Sequence, residues 1–123
     1  MFVRKIQKDL QEYFASGSEK IMIVDGARQV GKSFIIRYEG QKFFKNYIEV
    51  NLLEDSQGDR YFANIGSVDD FYIQLSLFAG DKMGERNDTL VFLDEIQTYP
   101  ELITLLKFLK KDNRFTYITS GSL

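Results

Sequence analysis

At 123 residues, 44% apolar and 28% charged, the chain has the length and composition of one soluble globular domain. Its lack of cysteine and histidine excludes disulfides, thiolate metal sites, cysteine nucleophiles and His-based triads. A formal charge of −2 makes no bulk electrostatic case for nucleic acid or an anionic membrane. No apolar run approaches the about 18 residues of a membrane span, and Met1 to Ile6 carries no signal-peptide core, so a cytoplasmic setting is expected.

The pattern alternates helix and strand from the start. Val3, Ile6, Leu10, Tyr13 and Phe14 fall at helical spacing, giving a first helix over residues 2–15 that Ser16-Gly17-Ser18 closes. Ile21-Met22-Ile23-Val24 is apolar on both faces, as a buried parallel strand is. A Gly-containing loop follows at once, and Ser33 to Tyr38 opens the next helix, which Gly40 is expected to end. Tyr47 to Leu52 reads as a second strand and Asp55 to Asp59 as loop. Ser67 followed by Val68-Asp69-Asp70 reads as an N-cap with an acidic first turn, opening a helix that carries Phe71, Ile73, Leu75, Leu77 and Phe78 toward Gly80.

Asp81 to Asp88 is a polar loop, and Leu90 to Leu93 is the apolar heart of a third strand spanning 89–95, with Asp94-Glu95 at its end. Pro100 stands where a helix begins, and Leu102, Leu105, Leu106 and Leu109 form its stripe. A fourth strand is expected over 115–120. Such alternation means a parallel sheet with covering helices, one α/β domain over residues 1–123.

Gly26-Ala27-Arg28-Gln29-Val30-Gly31-Lys32-Ser33 matches G-x-x-x-x-G-K-[ST] between a strand and a helix, the setting a phosphate loop requires. Successive backbone N–H groups form an anion nest there, and the helix N-terminus adds partial positive charge. Lys32 would reach the β- and γ-phosphates and the Ser33 hydroxyl would complete a Mg²⁺ shell. The reading is Mg-ATP binding by the Walker A loop, at residues 21–38 with its strand and helix.

Asp94 and Glu95 end a strand at the same sheet edge. Alone, Leu-Asp-Glu after an apolar strand could be a solvated turn. Beside a phosphate loop, Asp94 is expected to hold Mg²⁺ as the Walker B carboxylate, and Glu95 to orient and deprotonate water. No Asn-Lys-x-Asp segment is present to read guanine, and a kinase acting on a substrate hydroxyl has little use for the added glutamate, so ATP hydrolysis is favoured. Ser120, with Thr119 as the alternative, sits where a γ-phosphate or lytic water would be met; a plain Ser/Gly turn is the other reading. Asn51, at the end of the second strand, either holds Glu95 in an idle position or simply caps the strand.

The phosphate loop with its internal Arg28-Gln29, Leu93-Asp94-Glu95-Ile96-Gln97 with Pro100, and Ser120-Gly121-Ser122-Leu123 together resemble the prokaryotic AAA-type ATPases that join an N-terminal P-loop core to a C-terminal domain of unknown function. The resemblance runs from the first helix to Leu123. It implies a three-layer α/β/α P-loop NTPase fold with an AAA+ (ASCE) sheet, the third and fourth strands lying beside the first. It also implies Lys32 and Ser33 on phosphate and Mg²⁺, Asp94 and Glu95 as the Walker B pair, Ser120 as sensor 1 and Asn51 as the polar switch.

Against that pattern the sequence reaches only just past the fourth strand, so the core is expected to be partial. The fifth strand, helical lid, sensor-2 arginine and C-terminal domain have no counterpart. Two expectations follow. The strand from Ile21 to Val24 becomes an uncovered sheet edge prone to self-association. Hydrolysis is slow, since none of Arg4, Arg28, Arg37, Arg60, Arg86 and Arg114 can be assigned as an arginine finger. The competing functional classes are a non-catalytic nucleotide-binding or interaction module, a helicase fragment, which would need a second motor domain and a basic track, and a small-molecule kinase.

Overall fold

A computed structural model describes residues 2–16, 21–25, 32–53, 61–84 and 88–121. The order is α1 (Phe2–Ser16), β1 (Met22–Asp25), α2 (Lys32–Phe43), β2 (Asn46–Asn51), α3 (Val68–Ala79), β3 (Thr89–Asp94), α4 (Pro100–Asp112) and β4 (Thr116–Gly121), with single 3₁₀ turns at Gly80–Lys82 and Ile96–Thr98. The expected stretches Gly26 to Gly31, Gly17-Ser18, Asp55 to Asp59 and Ser122-Leu123 lie outside the described residues.

The four strands are all parallel, in the order β1-β4-β3-β2. β4 therefore lies between β1, the strand before Gly26, and β3, the strand ending in Asp94; the fourth strand pairs with the first as expected, and the third lies one strand further out. In β3 the register places Val91 opposite Ile48 and Tyr117, and Leu93 opposite Val50 and Thr119. Every residue from Thr89 to Leu93 is buried, because helices cover both faces and leave no solvated side to alternate toward.

On one face Ile6, Leu10 and Phe14 of α1, spaced four apart, join Ile36 of α2 over Val24, Leu90, Phe92 and Ile118. On the other, Phe71, Leu75 and Ala79 of α3 and Leu102, Leu106 and Leu109 of α4 cover Ile48, Val50, Val91, Leu93 and Tyr117. Ile73 and Leu77 turn out into solvent on α3, at 56% and 63% exposure.

Local chemistry sets the ends. The Ser67 hydroxyl accepts from the Asp70 amide at 3.1 Å, capping α3 as expected. Pro100 stands in the first turn of α4, and Asn113 ends it in the left-handed conformation at φ 54°. The strands fall within a residue of their expected bounds, β3 stopping at Asp94 rather than Glu95, but α2 does not end at Gly40 and continues to Phe43. Gly40 is a packing residue. A Cβ there would stand 2.6 Å from Leu90 Cδ2 and 3.1 Å from the Tyr47 ring, so its absence lets α2 lie close on β2 and β3.

Buried beside it, Glu39 accepts from Gln7 Nε2 at 2.9 Å and Gln11 Nε2 at 3.1 Å, tying α2 to α1. From α1 the Tyr13 hydroxyl donates to the Tyr117 carbonyl at 2.9 Å, fastening the same helix to β4. Burial is the main cause that raises the Tyr13 pKa above its ordinary value.

Candidate functional site

The C-terminal ends of β3 and β4 and the N-terminus of α2 meet at one point. Strand geometry turns alternate residues to opposite faces, so Asp94 and Ser120 fall on the face that α2 covers, and Thr119 on the other. The Ser33 hydroxyl, one residue into α2, donates to Asp94 Oδ2 at 3.4 Å. The Ser120 hydroxyl donates to Asp94 Oδ1. One carboxylate is thus held from two elements that are distant in sequence. Of the two hydroxyls that the sequence left open, Ser120 reaches Asp94, while the Thr119 hydroxyl is buried with no hydrogen-bond partner.

Glu95 follows directly but leaves the strand at φ 60° and ψ 47°, a left-handed conformation uncommon for a residue with a side chain. Such conformations persist where the surrounding structure fixes them. Here the 3₁₀ turn does so, with Thr98 N bonded to the Glu95 carbonyl at 3.1 Å and Tyr99 N to the Ile96 carbonyl at 3.2 Å. The Glu95 carboxylate accepts from Gln97 Nε2 at 3.0 Å. In the sequence Gln97 stands only as the end of the Leu93-Asp94-Glu95-Ile96-Gln97 run, with no role of its own. The signal that could have found it is an amide two residues beyond the acid, at the reach of a single tight turn.

Asn51 sits opposite Asp94 in the register of β2 and β3. Its Oδ1 accepts from the Leu53 amide at 3.1 Å, which caps the strand end. Lys32 opens α2, but its side chain lies outside what is described, as do Gly26, Ala27, Arg28, Gln29, Val30 and Gly31.

The donor set fits Mg²⁺ in kind. Ser33 and Asp94 offer a hydroxyl and a carboxylate, both hard oxygen ligands. Among the described residues no three His, Cys, Asp or Glu side chains cluster as a metal cage. Mg²⁺ in nucleotide sites is held by one or two protein oxygens with phosphate and water completing the shell, so no such cage is needed.

None of the described arginines lies at this edge. Arg37 forks onto Glu49, Nε to Oε1 at 2.9 Å and Nη2 to Oε2 at 2.8 Å, and Glu49 Oε1 also accepts from the Tyr47 hydroxyl at 2.8 Å. The hydrogen bond to Glu49 raises the Arg37 pKa, and burial pushes that of Tyr47 well up. These side chains line an open cleft of about 640 Å³ with Lys45, Asn46 and Lys82. It lies at the Asn46 end of β2, the opposite sheet edge from Asp94. Arg114, just before β4, stacks over the Tyr72 ring 4.1 Å from its centroid. Arg4 is exposed on α1, and Arg28, Arg60 and Arg86 lie outside the described residues. No described helix is long and apolar enough to cross a membrane.

A family model for an AAA domain matches residues 18–123. Among solved structures, C. elegans PCH-2 is similar in fold, with a TM-score of 0.54 and 12% sequence identity over 99% of this chain. This chain spans 37% of that one. A search of curated proteins gives no match. The parallel sheet, its strand order and this likeness make the fold that of a P-loop NTPase.

Proposed function

The chain belongs to the AAA domain family, and from that premise we propose that it binds Mg-ATP at the edge formed by Gly26 to Ser33, Asp94 and Ser120 and is arranged to hydrolyse it. The observation that carries the reading is the meeting of the Ser33 and Ser120 hydroxyls on the single Asp94 carboxylate. A helix N-terminus facing a carboxylate at the end of a neighbouring strand suits a phosphate chain bridged by a divalent cation.

In this reading the backbone of Gly26 to Gly31 cradles the phosphates and Lys32 reaches the β- and γ-oxygens. Ser33 and Asp94 would hold Mg²⁺, which would supply charge neutralisation at the phosphates. Ser120 fixes the rotamer of Asp94. Glu95 orients the attacking water and takes its proton. Asn51 closes the end of β2 beside Asp94. A cytoplasmic setting suits a chain using ATP.

β1 pairs on one side only among the described residues, and we extend the proposal to pairing of a second copy along that edge. Light scattering at high concentration tests it, and a strict monomer refutes it.

Binding of labelled ATP and GTP with and without Mg²⁺ tests the whole reading. ATP preference, Mg²⁺ dependence, loss on Lys32→Ala and retention on Glu95→Gln are expected; equal binding by Lys32→Ala refutes it. A nucleotide-binding module without turnover is the second reading, favoured by the engagement of Arg37 with Glu49 and of Arg114 with Tyr72, which leaves neither beside Asp94. Hydrolysis above background that Glu95→Gln removes decides for the first.

A further inference from the structure

We infer that Gln97 is a positioning residue for Glu95: its amide holds the glutamate carboxylate, and Gly121 at the end of β4 leaves room for that amide. The inference rests on the hydrolytic reading of Glu95 given above.

The backbone brings the pair together. Glu95 in the left-handed conformation turns the chain sharply off β3, and the Ile96–Thr98 turn carries residue 97 back toward it. Gln97 Nε2 then donates to Glu95 Oε2 at 3.0 Å. The other end of the same amide, Oε1, is buried and has no partner. Buried amides normally satisfy both ends. Reversing this one would press its oxygen against the carboxylate, an acceptor against an acceptor. The bond to Glu95 therefore decides how the amide lies, and an unpaired oxygen is the consequence.

That oxygen is turned toward Gly121. A Cβ at Gly121 would collide with Gln97 Oε1 and come within 3.3 Å of Ile96 N, and the residue has a φ of +153°, which side-chain-bearing residues rarely adopt. The last two residues of β4 thus act on both members of the acidic pair. Ser120 holds Asp94 directly, and Gly121 gives space to the amide that holds Glu95. A flexible glutamate that must meet a water in one geometry loses rate if it wanders, since a misplacement of about 1 Å can cost roughly 100-fold. Gln97 removes that freedom.

Two sets of variants test this in the intact chain. Gln97→Leu keeps the volume and removes the donor; kcat for ATP should fall about 10- to 100-fold with the ATP Kd unchanged within about threefold. An unchanged kcat overturns the inference. Gln97→Glu sets a second carboxylate against the first, and its Tm should fall by about 4 °C or more. The exchange Glu95→Gln with Gln97→Glu restores one donor facing one carboxylate, so it should recover the Tm while remaining inactive. An exchange as unstable as Gln97→Glu alone overturns the pairing. If the unmutated chain binds ATP yet never turns it over, the hydrolytic reading fails, while the stability of the exchange still decides whether Gln97 holds Glu95.

Discussion

Gly40→Ala sets two effects of known size against each other. Gly40 lies inside α2, where alanine is favoured over glycine by about 1 kcal/mol on helix propensity alone. The same Cβ would stand 2.6 Å from Leu90 Cδ2 and 3.1 Å from two atoms of the Tyr47 ring. Leu90 is fully buried and cannot swing into solvent. The Tyr47 ring is anchored by its hydroxyl bond to Glu49 at 2.8 Å. Forcing a methyl into such a contact costs about 1–3 kcal/mol, and more where the neighbours cannot give.

With both neighbours held, the upper part of that range applies, and the balance is a net loss of about 1–2 kcal/mol. For a domain of this length that is a fall of about 4–8 °C in Tm. Thermal unfolding by circular dichroism measures it. Gly66→Ala serves as the control, since a Cβ there meets nothing within 4 Å and should be neutral or slightly stabilising. A Gly40→Ala protein at least as stable as the unmutated chain would refute the close-packing account of α2. The same helix begins at Lys32 and Ser33, so weakened ATP binding should accompany the loss.

Ser120→Ala removes the donor to Asp94 Oδ1 and should weaken ATP binding about tenfold in Mg²⁺, and far less in EDTA, by titration. Glu39→Ala strips the acceptor shared by Gln7 and Gln11 and should destabilise by about 1–3 kcal/mol in urea unfolding, with Glu39→Gln closer to the unmutated protein. The alkaline limb of stability follows from the buried tyrosines. Burial is the largest cause that raises Tyr72, to about 12, and also raises Tyr13, Tyr47 and Tyr117. Each is held neutral in the fold, so its stabilising effect is complete below about pH 10 and is lost as the pH rises toward the folded pKa. Unfolding free energy should therefore drop above pH 10, and Tyr72→Phe should shallow that drop.

The sequence by itself determined the alternation of elements, because periodicity is a property of the chain alone. The strand Leu90 to Leu93, apolar on both faces, has no reading but a doubly covered one. Ser67 and Pro100 mark helix starts through chemistry confined to one turn, and the structure has helices beginning at both. The AAA resemblance also lay in short local runs, and the family match covers residues 18–123.

Tertiary structure decided whatever depended on a neighbour distant in sequence. Gly40 reads as a helix stop until the Leu90 and Tyr47 side chains pressing on it are seen. Ser120 and Thr119 are equivalent in type, and only the facing of β4 against Asp94 and Ser33 separates them. Gln97 is an ordinary amide in the sequence; a left-handed Glu95 and the absent side chain of Gly121 together set it on the carboxylate. Backbone hydrogen bonds and hydrophobic periodicity are written locally, whereas the position of a single polar atom follows from how packed elements meet.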